Sequence, residues 1–234
     1  MPGFPLPLMI FAAGFGTRMG ALTQDRPKPL IPVAGKPLID HALEIGLQAG
    51  VTRTVVNTHY LADQMTEHLA GRDVAISHEA GAILETGGGL KAALPLLGGG
   101  PVAILNSDGI WTGTNPLTQL AQAWDPARME ALLLLLPLDR TLAHGPKADF
   151  HLAPDGRISR GQGGENHLYI GAQILQTPRI AATPDAVFSL NKPWTEMIAE
   201  GTAFGLVHDG DWCDVGHPEG IAAAERLIQS ARHG

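Results

Sequence analysis

The sequence predicts an α/β fold: a mixed, mostly parallel sheet with helices on both faces and a smaller β-rich part on the same sheet. Three observations predict it. Short apolar runs at 8–13, 54–57, 74–77, 101–106 and 131–136 carry Val, Ile and Leu without polar alternation, as strands buried on both faces do. Helical stretches separate these runs, and that alternation is the pattern of parallel strands joined by crossover helices. Beyond Leu138 the rhythm changes to hairpin-like spacing, which marks the β-rich part.

The first strand, Leu8 to Ala13, runs into a Gly-x-Gly turn at Gly14 and Gly16. A helix follows from Lys36 to about Gln48, with an apolar stripe through Leu38, Ala42 and Ile45, and Gly50 stops it. The strand at Thr54–Asn57 leads to a helix over Leu61–Leu69, which Gly71 ends, and then to a strand at Val74–Ser77. The glycine-rich stretch Glu79–Gly89 enters a helix that runs through Leu97. Pro101–Asn106 is an apolar strand ending in Ser107-Asp108; Leu117–Trp124 reads as helix and Ala131–Leu136 as strand. Phe150–Leu152, the turn Pro154-Asp155-Gly156 and Arg157-Ile158 form a β-hairpin, followed by a strand at His167–Leu175. A helix near Trp194–Glu200, a strand at Phe204–His208 and a last helix from Pro218 to about Ala231 complete a single domain over 1–234.

Composition excludes several classes. Hydrophobic residues at 44% supply a sizeable core, and charged residues at 17% are far from the disordered regime. The net charge of −7, from 16 basic and 23 acidic residues, argues against a nucleic-acid surface. The single cysteine, Cys213, rules out a disulfide within the chain and points to a reducing compartment. No apolar run reaches the length of a membrane span, and Met1–Met9 has no basic start and three prolines, unlike a signal peptide. A cytoplasmic location is expected. The sequence is silent on oligomeric state.

The chemistry-bearing stretch is Ile10-Phe11-Ala12-Ala13-Gly14-Phe15-Gly16-Thr17-Arg18-Met19, followed by Arg26-Pro27-Lys28-Pro29-Leu30. A glycine turn after a buried strand exposes successive N–H groups and lets a ligand approach the backbone. Arg18 and Lys28 add a guanidinium fork and a point charge, so the natural ligand is a polyphosphate. The dinucleotide fingerprint fits poorly: Gly20 is one position late and no acid closes the second strand, which ends Asn57-Thr58-His59. A P-loop is excluded, since no Gly-Lys-Ser/Thr follows. A glycine turn with an incidental arginine is the plain alternative. Asp108 stands at the carboxyl end of a buried strand, where open parallel sheets bind ligands, and suits Mg²⁺. Asp214, in Trp212-Cys213-Asp214-Val215-Gly216, stands at a similar junction. Either acid is equally a turn or capping residue when taken alone. Glu79 to Gly89 has the composition of a loop in which Gly87 and Gly88 approach a flat ligand, or of a flexible connection. The ten histidines form no zinc pattern, and Ser107 lacks a nucleophile elbow.

Together these residues resemble the nucleotidyltransferases that activate sugar-1-phosphates. The resemblance rests on Ala12–Met19, Pro27–Leu30 and Gly35–Ile39, with Asn106-Ser107-Asp108 and Trp212–Gly216 where that family has its two metal carboxylates. Glu79–Gly88 and Phe188–Leu190 are most similar to the short members that uridylylate N-acetylmuramate-1-phosphate. Guanylyltransferases for mannose-1-phosphate, thymidylyltransferases for glucose-1-phosphate and a non-catalytic nucleotide-sugar regulator stand as alternatives. The resemblance implies a Rossmann-like fold, with a nucleotide-binding half over about 8–136, a sugar-binding half over about 137–215 and a C-terminal helix over 217–232. It implies that Ala12, Ala13, Gly14, Gly16, Thr17, Glu79 and Gly87 bind nucleotide, with Arg18 and Lys28 catalytic. Asn106 and Asp149 would face the sugar phosphate, and Asp108 and Asp214 would hold Mg²⁺. The substrates would be an NTP, UTP first, and a sugar-1-phosphate, with neither nucleic acid nor membrane as partner. The family's Glu-Lys-Pro segment is missing, leaving Lys147 and Lys192 as the nearby lysines for the sugar phosphate.

Overall fold

The computed structural model describes residues 6–141, 148–160 and 165–233. In chain order the elements begin β1 (Leu8–Phe11), β2 (Pro32–Val33), β3 (Lys36–Pro37), α1 (Leu38–Ala49), β4 (Thr54–Thr58), α2 (Ala62–Leu69) and β5 (Ala75–His78). They continue with α3 (Glu85–Leu97), β6 (Val102–Asn106), β7 (Gly109–Trp111), α4 (Pro116–Ala123), β8 (Ala131–Pro137), β9 (Phe150–Leu152) and β10 (Ile158–Ser159). The last are β11 (Glu165–Leu175), α5 (Pro178–Ala182), α6 (Asn191–Glu200), β12 (Ala203–Val207), β13 (Trp212–Asp214) and α7 (Pro218–His233).

Among the described residues the main sheet has nine strands. β5, β4, β1 and β6 lie side by side and parallel, so their carboxyl ends share one edge. β11 then runs antiparallel to both β6 and β8, and β12 returns parallel to β8. β11 is long enough to serve two neighbours in succession. Its start pairs with β9 of the expected hairpin, and Ala172–Leu175 pairs with β6. The register against β8 slips between Tyr169 and Gln173, where Gly171 adopts φ +81°. A bulge with glycine in the left-handed region bends the strand there, and a Cβ on Gly171 would lie 3.0 Å from Asn106.

Both sheet faces are covered, which explains the unbroken apolar runs. Leu8 and Ile10 face a core built with α1, α2 and α4, while Met9 faces one built with α3, α5 and α6. In β8, Leu132, Leu134 and Leu136 point to the first core and Leu133 and Leu135 to the second. A third cluster gathers Met19, Ile31, Val33, Ile110, Val215 and Ala224 beneath α7.

The structure departs from expectation locally. β1 ends at Phe11, because the Ala12 N–H turns to the Asn57 side chain at 2.7 Å. The helix expected from Lys36 begins at Leu38, since Lys36 and Pro37 pair with β2. Gly87, Gly88 and Gly89 lie inside α3 and are buried. The two-stranded ribbon of β7 and β13 went unread, because its short strands lack any periodic signal.

Candidate active site

A cleft of about 320 Å³ opens at the carboxyl edge of β1 and β6. Ala12, Ala13, Gly14, Gly16, Thr17, Arg18, Lys28, Glu79, Asn106 and Asp108 all line it. Gly16 shapes the turn, with φ +64°; a Cβ there would sit 2.8 Å from the Lys28 Cβ. The Gly16 carbonyl accepts from Met19 N at 2.9 Å and from the Thr23 hydroxyl at 3.1 Å, and Met19 anchors the loop in the third core cluster. Phe15 lies edge-on against His59, with ring centroids 5.3 Å apart, and pins the outer side of the loop.

Lys28 and Asp108 meet in this cleft. Lys28 Nζ donates to Asp108 Oδ2 at 2.6 Å, and the lysine side chain is 12% exposed. The β7/β13 ribbon brings the second acid close: Asp214 is opposite Gly109, and Val215 N donates to the Asp108 carbonyl at 2.9 Å. Gly216 lines the cleft between Asp214 and Arg18. A Cβ on it would lie 2.5 Å from Asp214 Oδ2 and 3.1 Å from Arg18 Nη2. Arg18 Nη1 also lies 3.2 Å from His217 Nε2. The donor set suits a hard cation. Among the described residues no three His, Cys, Asp or Glu side chains converge as a protein cage. Two carboxylates beside a glycine loop could hold Mg²⁺, which binds through one or two carboxylates with substrate phosphate oxygens and waters as the remaining ligands.

Sequence reasoning missed Asn57. It is buried and accepts from Ala12 N at 2.7 Å while donating to Glu79 Oε1 at 2.7 Å. The other Glu79 oxygen accepts from Leu84 N at 2.8 Å. Both oxygens of Glu79 are thus engaged in holding the cleft wall. A polar residue closing an apolar strand was the available signal. Gly87 does not reach the cleft. Its N–H donates to the Phe188 carbonyl at 2.8 Å, and a Cβ would be 2.4 Å from the Phe188 ring. That close packing is why the residue is glycine.

Asp149 lies in a neighbouring cavity of about 240 Å³ with Thr86, Phe150, Arg160, Tyr169, Ser189, Asn191 and Trp194. Thr86 lines both cavities, so the two adjoin. The Asp149 carboxylate accepts from Tyr169 N at 3.0 Å. Lys192 turns instead to Asp185 at 2.5 Å, and Lys147 is outside the described residues. Tyr169 is held well above the ordinary tyrosine range, first by burial and then by the negative charge of Asp149 and Asp108. Burial, and the Asp214 charge beside it, lift the Cys213 thiol to about 11, so it is inert at neutral pH.

The parallel sheet edge carries a glycine loop, a lysine and two acids, as a nucleotidyltransferase does, and the chain belongs to that family: residues 8–138 match the family model described as the MobA-like NTP transferase domain. Among curated relatives, the N-acetylmuramate alpha-1-phosphate uridylyltransferase of Caulobacter vibrioides is 41% identical, over 95% of this chain and 97% of the relative. The enzyme of the same name from Neisseria meningitidis is 36% identical, over 89% and 92%. Two solved structures share the fold. The inositol-1-phosphate CTP transferase of T. maritima superposes with TM-score 0.77 at 16% identity, covering 100% of this chain and 99% of that one. HddC of Yersinia pseudotuberculosis superposes with TM-score 0.76 at 20% identity, covering 95% and 99%.

Proposed function

We propose that the chain is a Mg²⁺-dependent uridylyltransferase that joins UTP and N-acetylmuramate-1-phosphate and releases pyrophosphate. The observation that carries this reading is the convergence of the glycine loop, Arg18, Lys28 and Asp108 in one cleft. The full-length likeness to the two named uridylyltransferases supports the choice of substrates.

In this reaction an oxygen of the sugar-1-phosphate attacks the α-phosphorus of UTP. The bond from that phosphorus to the bridging oxygen breaks, and pyrophosphate carries away the electron pair. The nucleophile is already an anion, so no general base is needed. The obstacle is repulsion between two phosphates, which positioning and fixed positive charge overcome. The N–H groups from Ala13 to Thr17 cradle the triphosphate, and Arg18 faces its β and γ groups. Lys28 offsets charge at the α-phosphate. Asp108 and Asp214 would hold Mg²⁺, which when bound screens the phosphate oxygens. Asn106, beside the Gly171 bulge, faces the sugar phosphate; Asp149, expected beside that phosphate, lines the adjoining cavity instead and faces the sugar. Nucleotide then lies in the half over 8–136 and sugar in the half over 137–215.

A pyrophosphate-release assay over a panel of NTPs and sugar-1-phosphates tests this. UTP with N-acetylmuramate-1-phosphate is expected to turn over fastest; no release with any pair overturns the enzyme reading.

A further inference from the structure

The cavity beside the phosphate cleft is built for more than hydroxyl groups. We infer that it reads an acidic substituent on the sugar, and that Arg160 with the Tyr169 hydroxyl is the carboxylate-recognising pair. This rests on the proposed nucleotidyl transfer and concerns which sugar-1-phosphate is accepted.

Arg160 is set up as a fork. Its guanidinium carbon lies 5.0 Å from the Phe150 ring centroid, and Nη2 donates to Asn191 Oδ1 at 2.5 Å. Stacking and one anchoring bond fix the plane while leaving further N–H donors for a ligand. Several other arginines pair with acids, among them Arg72 with Asp40, Arg140 with Asp211 and Arg179 with Glu130. Among the described residues no carboxylate pairs with Arg160, although Asp149 lines the same cavity. The Asp149 oxygen that accepts from Tyr169 N is turned to the backbone.

Tyr169 supplies a second donor by elimination. Trp194 Nε1 donates to Gln173 Oε1 at 3.1 Å, which fixes the amide so that Gln173 Nε2 donates to the Tyr169 oxygen at 3.0 Å. Among the described residues no acceptor takes the Tyr169 O–H proton, and the ring lines the cavity. Its raised pKa keeps that proton in place through the whole working pH range. A fixed guanidinium and a committed hydroxyl donor, from two residues that line one cavity, match a carboxylate, whose oxygens only accept. The neighbouring Asp149 is left to accept from a sugar hydroxyl or amide N–H. Because Thr86 lines both cavities, a sugar seated here places its 1-phosphate in the cleft of Asp108.

The test measures binding of N-acetylmuramate-1-phosphate and of N-acetylglucosamine-1-phosphate, which lacks the lactyl carboxylate, to the whole protein by calorimetry. A non-hydrolysable UTP analogue and Mg²⁺ are present throughout. Wild type is expected to favour the carboxylate sugar by about 10- to 100-fold, the range of charge-assisted hydrogen bonds. In Arg160→Gln that ratio falls close to one through loss of affinity for the carboxylate sugar; Arg160→Lys recovers part of it, and Tyr169→Phe lowers it several-fold. Equal affinity of wild type for both sugars, or a ratio preserved in Arg160→Gln, overturns the inference. Turnover by wild type with either sugar in the pyrophosphate assay keeps the enzyme reading intact in that event, so the two failures are distinguishable.

Discussion

At the residue scale the Lys28–Asp108 pair organises the cleft. At 2.6 Å, with the lysine side chain 12% exposed, it holds a flexible side chain in the cleft, where the proposed reaction would build up phosphate charge. Interactions that strengthen in the transition state appear in kcat. Lys28→Ala and Asp108→Ala are each expected to lower kcat by at least about 10²-fold in steady-state assays, while circular dichroism stays native. Near wild-type kcat in either would remove that residue from the mechanism. Gly16 answers to the same pair through its backbone. With φ +64° and 2.8 Å of clearance to the Lys28 Cβ, it has no room for a side chain. Gly16→Ala is expected to destabilise the fold by roughly 1–2 kcal/mol in denaturant titrations and to lower kcat/KM by displacing Lys28.

At the element scale, close backbone packing and a charge cluster position the helices on the second face. The start of α3 lies against the 186–188 segment so tightly that a Cβ on Gly88 would be 2.2 Å from the Ala186 carbonyl oxygen. Gly88→Ala is expected to cost about 1–3 kcal/mol, read as a lower denaturation midpoint, because backbone gives way less easily than a side chain. Arg179 of α5 meets Glu130 at 2.8 Å, and Glu196 and Glu200 of α6 at 3.2 and 2.6 Å. Burial pushes the Glu130 carboxyl upward, but bonds from Arg179 and Thr202 outweigh it and hold the group below the usual range. A carboxylate with a depressed folded pKa stabilises above its unfolded value, near 4.3, and loses that contribution as pH falls through the folded value. Arg179→Ala is therefore expected to cost about 1–2 kcal/mol near neutrality. That cost should shrink in titrations carried below about pH 4; a penalty independent of pH would assign it to packing.

At the scale of the whole molecule, ligand and fold are one equilibrium. The cleft draws on β1, β6, the β7/β13 ribbon and the loop after β5, so a nucleotide bound there ties the elements together. A ligand that binds only the folded state stabilises it by about 2.7 kcal/mol at a hundred times its Kd. In a thermal-shift screen, UTP with Mg²⁺ is expected to raise Tm more than ATP, CTP or GTP, and removal of Mg²⁺ with a chelator to shrink the gain. A larger shift with another nucleotide would replace UTP as the donor. Among the described residues no helix is long and apolar enough to cross a membrane.

Much of this was legible in the linear chain, because strands buried on both faces need continuous apolar runs, and the glycine loop with Arg18 and Lys28 is a local pattern. Hydrophobic period and turn chemistry act over a few residues, so β1, β4, β6, β8 and the helices between them could be read in order. What the chain alone could not decide lies in contacts between distant segments. The pairing of Asp214 with Gly109 brings the second acid to the first, and Asn57 joins Ala12 to Glu79 across two strands. The Phe188 packing that removes Gly87 from the cleft, and the Gln173 amide that orients Tyr169, are likewise set by tertiary neighbours. Such contacts depend on sheet order and register, which no local pattern encodes.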